Sequence, residues 1–178
     1  MNERDDLLAM IREKGVVHGD YVLSSGQRAT YYVDLRRVLL SGRGAWLAGR
    51  VMLATTADLR YDAVGGLTLG ADPVATAMMH AATAAGRPLD AFIVRKSEKA
   101  HGTQRRIEGP DVVGRRVLAV EDTSTTGASV LTAVDALNEA GAHVVGVAVV
   151  VDRGGRERVT ARGLEFRAAY CIGDLDLG

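Results

Sequence analysis

A chain of 178 residues is long enough for one domain that buries most of the surface its unfolded form exposes. Its 22 Lys+Arg balance its 22 Asp+Glu, so no global basic field recruits nucleic acid or an anionic membrane. The acidic start MNERDDLLAM lacks signal-peptide order, no apolar run nears a bilayer span, and the lone Cys171 excludes an intrachain disulfide or a cysteine-based zinc site. Together these features predict a cytoplasmic protein.

Apolar spacing over residues 5–14 predicts a helix that stops at Gly15. Residues 21–23 and 31–35 read as short strands separated by the turn segment SSGQRAT, and 45–59 as a helix. Residues 63–66 form an apolar strand that runs into GGLTLG. Asp72 before Pro73 marks a helix start, the carboxylate capping orphan N–H groups and the proline taking the first helical position. That helix ends at Gly86. Strands follow at 91–94 and 117–120, then a helix at 128–140 closed by Gly141. A β-branched strand at 144–151 and a last strand at 164–171 complete the order, with Cys171 read as a buried structural thiol.

Short apolar strands alternating with helices predict an α/β fold, a central mainly parallel sheet covered by helices on both faces. Ligands of such folds bind beyond the carboxyl ends of the strands. The chemically unusual residues fall there, after Val64, Val94, Val120 and Val151. The polar segment from Arg95 to Gly114, about 20 residues, is too long for an ordinary connection and reads as a functional lid. No linker divides the chain, which predicts a single domain over residues 1–178.

Residues 117–130 read VLAVEDTSTTGASV: an apolar run, the pair Glu121–Asp122, then a loop of small hydroxylated residues before a helix. Adjacent carboxylates can accept hydrogen bonds from neighbouring sugar hydroxyls. The hydroxyls and backbone N–H groups of Thr123, Ser124, Thr125, Thr126, Gly127, Ala128 and Ser129 suit a phosphate at a helix N-terminus. An acidic pair alone would read as a solvated strand end; the TSTTGAS continuation favours the sugar phosphate. Neither a Walker loop nor a GxGxxG turn is present. Upstream, Arg95, Lys96, Lys99 and His101 place cationic or proton-donating groups within seven residues. Such a run is often only solvated, but donors closing over a leaving pyrophosphate would stabilise growing negative charge. GGLTLGAD reads either as a tight strand-to-helix turn or as a second phosphate cradle. Arg153 follows a strand at the same rim.

VLAVEDTSTTGAS resembles the phosphoribosylpyrophosphate (PRPP) signature of type I phosphoribosyltransferases. YVLSSGQRATYYVDLR (21–36), VGGLTLGADPVA (64–75), VRKSEKAHG (94–102) and VDR (151–153) resemble successive segments of the orotate phosphoribosyltransferase family. The resemblance implies the type I fold, with a small N-terminal β-containing hood contributed mainly by residues 1–40 and a mobile catalytic loop over about 95–110. It implies transfer of the 5-phosphoribosyl group from PRPP to N1 of orotate, giving orotidine 5′-monophosphate and pyrophosphate in pyrimidine synthesis. Mg²⁺ is the implied cofactor, with no direct protein ligand assigned.

By this resemblance Lys99 is the main loop catalyst, and Arg95, Lys96 and His101 contact pyrophosphate. Glu121 and Asp122 hold the ribose, with Asp122 also assigned to catalysis, and residues 123–129 hold the 5′-phosphate. Thr125 and Arg153 hold orotate, with Ser25, Gly26 and Tyr32 in the hood over the base. A homodimer in which each loop covers the partner's site is implied as well. Many family members carry lysine where this chain has Ser24 and Leu69, which shifts part of the anion binding to arginines such as Arg36, Arg37 or Arg43. His18, His80 and His143 match no motif and are assigned to structure or surface. A transferase for another base, or a PRPP-sensing regulator, would share the PRPP site and differ at the hood, the loop and Arg153.

Overall fold

The computed structural model describes residues 2–22, 28–97 and 106–177. The predicted Lys99, His101, Ser25 and Gly26, with Ser24, lie outside them. Helix α1 (Glu3–Met10) opens under an Asn2 cap and continues as a wider turn through Ile11–Gly15. Strands β1 (Val16–Val22) and β2 (Arg28–Val33) pair antiparallel as a two-stranded unit of their own, the predicted hood. A short helix α2 (Arg36–Leu39) leads to α3 (Gly42–Thr55), whose start is capped by Ser41 accepting from Gly44 N–H.

The main sheet is built from β3 (Ala63–Leu67), β4 (Asp90–Val94), β5 (Ile107–Glu108), β6 (Arg116–Ser124), β7 (His143–Asp152) and β8 (Phe166–Cys171). Their order is β5-β4-β3-β6-β7-β8, parallel throughout except for β5 on β4. Helix α4 (Ala71–Ala84) connects β3 to β4, α5 (Ala128–Glu139) connects β6 to β7, and α6 (Arg156–Thr160) follows β7.

Alternation of side chains along the strands assigns them to two apolar layers. Leu118 and Val120 of β6 join Ala148 and Val150 of β7 under α1, α3 and α4, with Leu7, Leu47, Met52, Val74 and Met78. Val117 and Ala119 join Val147 and Val149 on the opposite face, against Val130, Val134, Leu137 and Val159 of α5 and α6. Both faces of the central strands are therefore dry, and their polar residues can emerge only at the strand ends.

Several expectations change, beginning with the hood strands, which run Val16–Val22 and Arg28–Val33 rather than 21–23 and 31–35. Strand β6 continues past Val120 to Ser124, because β7 extends far enough to pair Thr123 with Val151 and Ser124 with Asp152. Helix α4 starts at Ala71 after Gly70, with no side-chain cap; Asp72 lies inside its first turn. Cys171 is exposed at the end of an edge strand, just past the buried Ala169 and Tyr170.

Candidate active site

Glu121 and Asp122 lie in β6 beyond its last pair with β3, Ala119 with Gly65, where only β7 still pairs with the strand. Glu121 is only 6% exposed, and burial, reinforced by the Asp122 charge, lifts its carboxyl to about 8. Asp122 is also raised, chiefly by burial. The pair is linked through the backbone: Asp122 N donates to Glu121 Oε1 at 3.3 Å, and Thr123 N to Asp122 Oδ1 at 2.6 Å. Two carboxyls this close and this dry favour one shared proton until a ligand supplies donors or positive charge.

The loop after β3 lies directly against them. A Cβ on Gly70 would sit 2.3 Å from Glu121 Oε1 and 2.7 Å from Asp122 Oδ1, so any side chain there would have to push the carboxyl groups aside. Thr68 N donates to Val94 O at 2.9 Å, and Thr68 Oγ1 to Asp72 Oδ2 at 2.7 Å. Asp72 Oδ1 is buried and has no hydrogen-bond partner among the described residues. Its charge adds to the upward pressure on Glu121. Asp72 is thus a third acid of the site, which its position before Pro73 had marked only as a helix cap.

Arg36 supplies the nearby positive charge. Asp34 Oδ1 accepts from its Nε at 2.8 Å, and this hydrogen bond is the first cause of its raised pKa, with smaller contributions from Tyr32 and Asp122. Of the three arginines proposed to replace the missing lysines, Arg43 is paired with Asp6 of α1 at 2.9 Å, while Arg36 feels the acid pair.

Beyond Ser124 the loop alternates. Thr125, Thr126, Ala128 and Ser129 are exposed, while Ser124 and Gly127 are buried. Gly127 adopts φ +73°, a left-handed conformation that turns the chain into α5, and no side chain caps that helix. The side chains of Thr125, Thr126 and Ser129 are therefore solvent-exposed together at the start of α5, with Ala128 N donating to Thr126 Oγ1 at 3.4 Å. The Ser124 hydroxyl points instead under the turn that follows β7. That turn carries Arg153, partly exposed, whose N–H donates to Ser124 O at 2.8 Å.

At the other side, β5 pairs Ile107 with Val94, and Arg95 N donates to Arg106 O at 2.7 Å. The described residues on either side of 98–105 are thus joined at Arg95 and Arg106. Arg95 lies 3.6 Å from Glu108, and Lys96 is exposed. Tyr32 is 41% exposed, its ring 5.9 Å from that of Tyr21.

Residues 54–162 match the family described as "Phosphoribosyl transferase domain", more than half of the chain. The orotate phosphoribosyltransferase of Streptomyces avermitilis is 62% identical over 177 residues, covering 98% of this chain and 97% of that one. The chain belongs to the orotate phosphoribosyltransferase family. A crystal structure of the Mycobacterium tuberculosis orotate phosphoribosyltransferase with Fe(III) dicitrate superposes with TM-score 0.91 at 57% identity, covering 99% of this chain and all of that one. Another structure of the same M. tuberculosis enzyme, in complex with PRPP, gives TM-score 0.82 at 50% identity over 97% of this chain and 91% of that one. Sequence reasoning read GGLTLGAD as a turn or a phosphate cradle and Asp72 as a helix cap. What it did not find is the hydrogen bond from Thr68 to Asp72 and the approach of Asp72 to the acid pair, which spacing does not signal.

Proposed function

We propose that this protein is a cytoplasmic enzyme that transfers the 5-phosphoribosyl group from PRPP to N1 of orotate, forming orotidine 5′-monophosphate and pyrophosphate in de novo pyrimidine synthesis. The observation that carries this reading is the dry acid pair of β6 held under the Gly70 loop, with an outward-facing hydroxyl loop on one side and Arg153 on the other. Family membership at high identity over the whole chain supports it. Among the described residues no helix is long and apolar enough to cross a membrane.

Glu121 and Asp122 accept from the ribose hydroxyls, and their charge supports the oxocarbenium character that C1 acquires as its bond to pyrophosphate breaks. Residues 123–129 hold the 5′-phosphate with N–H and hydroxyl donors, Ser124 through its backbone. Arg153 matches the orotate carboxylate as a guanidinium fork, and Thr125 lies beside it. Tyr32, Ser25 and Gly26 cover the base from the hood. Arg95, Lys96, Lys99 and His101 receive the charge that grows on pyrophosphate, with Lys99 leading. No covalent nucleophile is required; position and charge stabilisation suffice.

Among the described residues no group of three or more His, Cys, Asp or Glu side chains is arranged to hold a metal ion. Mg²⁺ nevertheless fits, because it commonly takes one or two carboxylates together with substrate oxygens and water. The orphaned Asp72 Oδ1 and the carboxyls of Glu121 and Asp122 offer acceptors for the waters such an ion keeps. Bound there, Mg²⁺ would neutralise charge on PRPP. We assign it no direct protein ligand.

The homodimer belongs to the same reading. A groove of about 890 Å³ beside α3 and α4 is lined by exposed Leu40, Trp46 and Leu69 and reaches Arg36 and Asp72 at the site. A second copy seated on this apolar face would stand where its lid could reach across. Purified protein with Mg²⁺, PRPP and orotate should consume orotate, followed by its absorbance. Consumption of another base with orotate left untouched would overturn the assignment.

A further inference from the structure

The ends of β6 and β7 meet backbone to backbone. Past the Ser124–Asp152 rung, Ser124 O accepts from the N–H groups of Arg153 at 2.8 Å and Gly155 at 3.2 Å. Asp152 Oδ1 accepts from Gly154 N at 3.0 Å and Gly155 N at 2.9 Å, so the Arg153 turn is held from both strands. Ser124 is 4% exposed, and its Oγ has no hydrogen-bond partner among the described residues. The hydroxyl therefore acts as a spacer.

What it fits against is the missing side chain of Gly155, itself buried. A Cβ there would lie 2.0 Å from Ser124 Oγ, 2.9 Å from Ser124 Cβ and 3.0 Å from Gly127 N. The contact is reciprocal, since a Cβ on Gly127 would meet Gly155 O at 3.1 Å. We propose that Ser124 and Gly155 form a keyed contact that locks the Arg153 turn to the phosphate-facing loop, making Gly155 a positioning residue for orotate capture. The proposal rests on Arg153 being the orotate anchor. One carbon added at Gly155 must lift the turn, and a guanidinium fork loses its pairing when it is displaced. Glu121 and Asp122, upstream in the ladder, keep their register.

Steady-state kinetics of three variants of the full chain test this. Gly155→Ala should raise the orotate KM roughly tenfold or more, the scale of one misplaced charge-assisted contact, with the PRPP KM changed only about threefold or less. Ser124→Gly/Gly155→Ala transfers the side chain to the other loop and removes the 2.0 Å and 2.9 Å contacts, leaving the 3.0 Å approach to Gly127 N, so it should recover a clear part of the orotate affinity. An unchanged orotate KM in Gly155→Ala, an equal loss for both substrates, or no recovery in the double variant would overturn the keyed contact. If Gly155→Ala does not fold, Ser124→Thr, which crowds the same contact with a methyl, should give the same orotate-selective loss; lack of that selectivity overturns it too. Arg153→Ala separates the two levels. Loss of orotate binding in Arg153→Ala but not in Gly155→Ala sinks only the keyed contact, whereas an unchanged orotate KM in Arg153→Ala sinks the anchor itself.

Discussion

The two sides of the site are built differently. On the ribose-phosphate side, parallel ladder pairs run out to Ser124 and Asp152, and the acids, the hydroxyl loop and the Arg153 turn are tied by backbone bonds and buried contacts. On the side proposed for pyrophosphate, the described residues supply one backbone hydrogen bond, Arg95 N to Arg106 O, with Arg95 and Lys96 beside it. Leu69, exposed in the loop over the acid pair, brings no charge. Under the proposed function, ribose and base recognition falls to groups tied into the β6–β7 ladder, and leaving-group stabilisation to the segment from Arg95 to His101, where binding energy realised only in the transition state is best placed.

Mutations on either side can break or sharpen this contrast. Lys99→Ala, on the pyrophosphate side, should lower kcat by on the order of 10²–10³ with ground-state PRPP binding largely kept. Near-normal turnover would remove the loop's role. Arg153→Ala, on the scaffold side, should weaken orotate binding by roughly 1.5–3 kcal/mol while PRPP binding persists, as calorimetry can measure. Equal loss of both substrates would mean that the scaffold does not separate base from sugar.

The third effect is on stability. Glu121 is raised to about 8 from an ordinary 4.5, so between those pH values the folded chain holds more protons than the unfolded one. Stability of the free protein should therefore fall as pH rises through that window. Glu121→Gln removes the penalty and should raise Tm at pH 8, a gain of roughly 1–3 kcal/mol after allowing for the coupled pair, with little change near pH 5. Identical melting of the two proteins at both pH values would contradict a dry acid pair.

Most of the sheet was legible because parallel strands between covering helices must be apolar, as in β7, which is buried from Gly146 to Val151. The phosphate loop was legible for the converse reason, hydroxyls and glycine directly after such a strand. What escaped depended on partners distant in sequence. Polar residues 121–124 did not read as strand until β7 paired with them. The two-residue β5 and the short α2 and α6 carry too few residues for any period. Asp72 looked like a cap because the Thr68 hydroxyl and the acids across the loop cannot be seen from spacing. Ser124 looked like its neighbours, and only the approach of Gly155 distinguishes it.

The central claim is that the acid pair of β6 receives the ribose of PRPP. Calorimetry of Mg²⁺–PRPP binding at pH 7, repeated in buffers of different ionisation enthalpy, counts the protons released. Because Glu121 is raised to about 8, the wild-type chain should release close to one proton more than Glu121→Gln. Equal proton counts for the two proteins, with PRPP still bound tightly by both, would contradict the account.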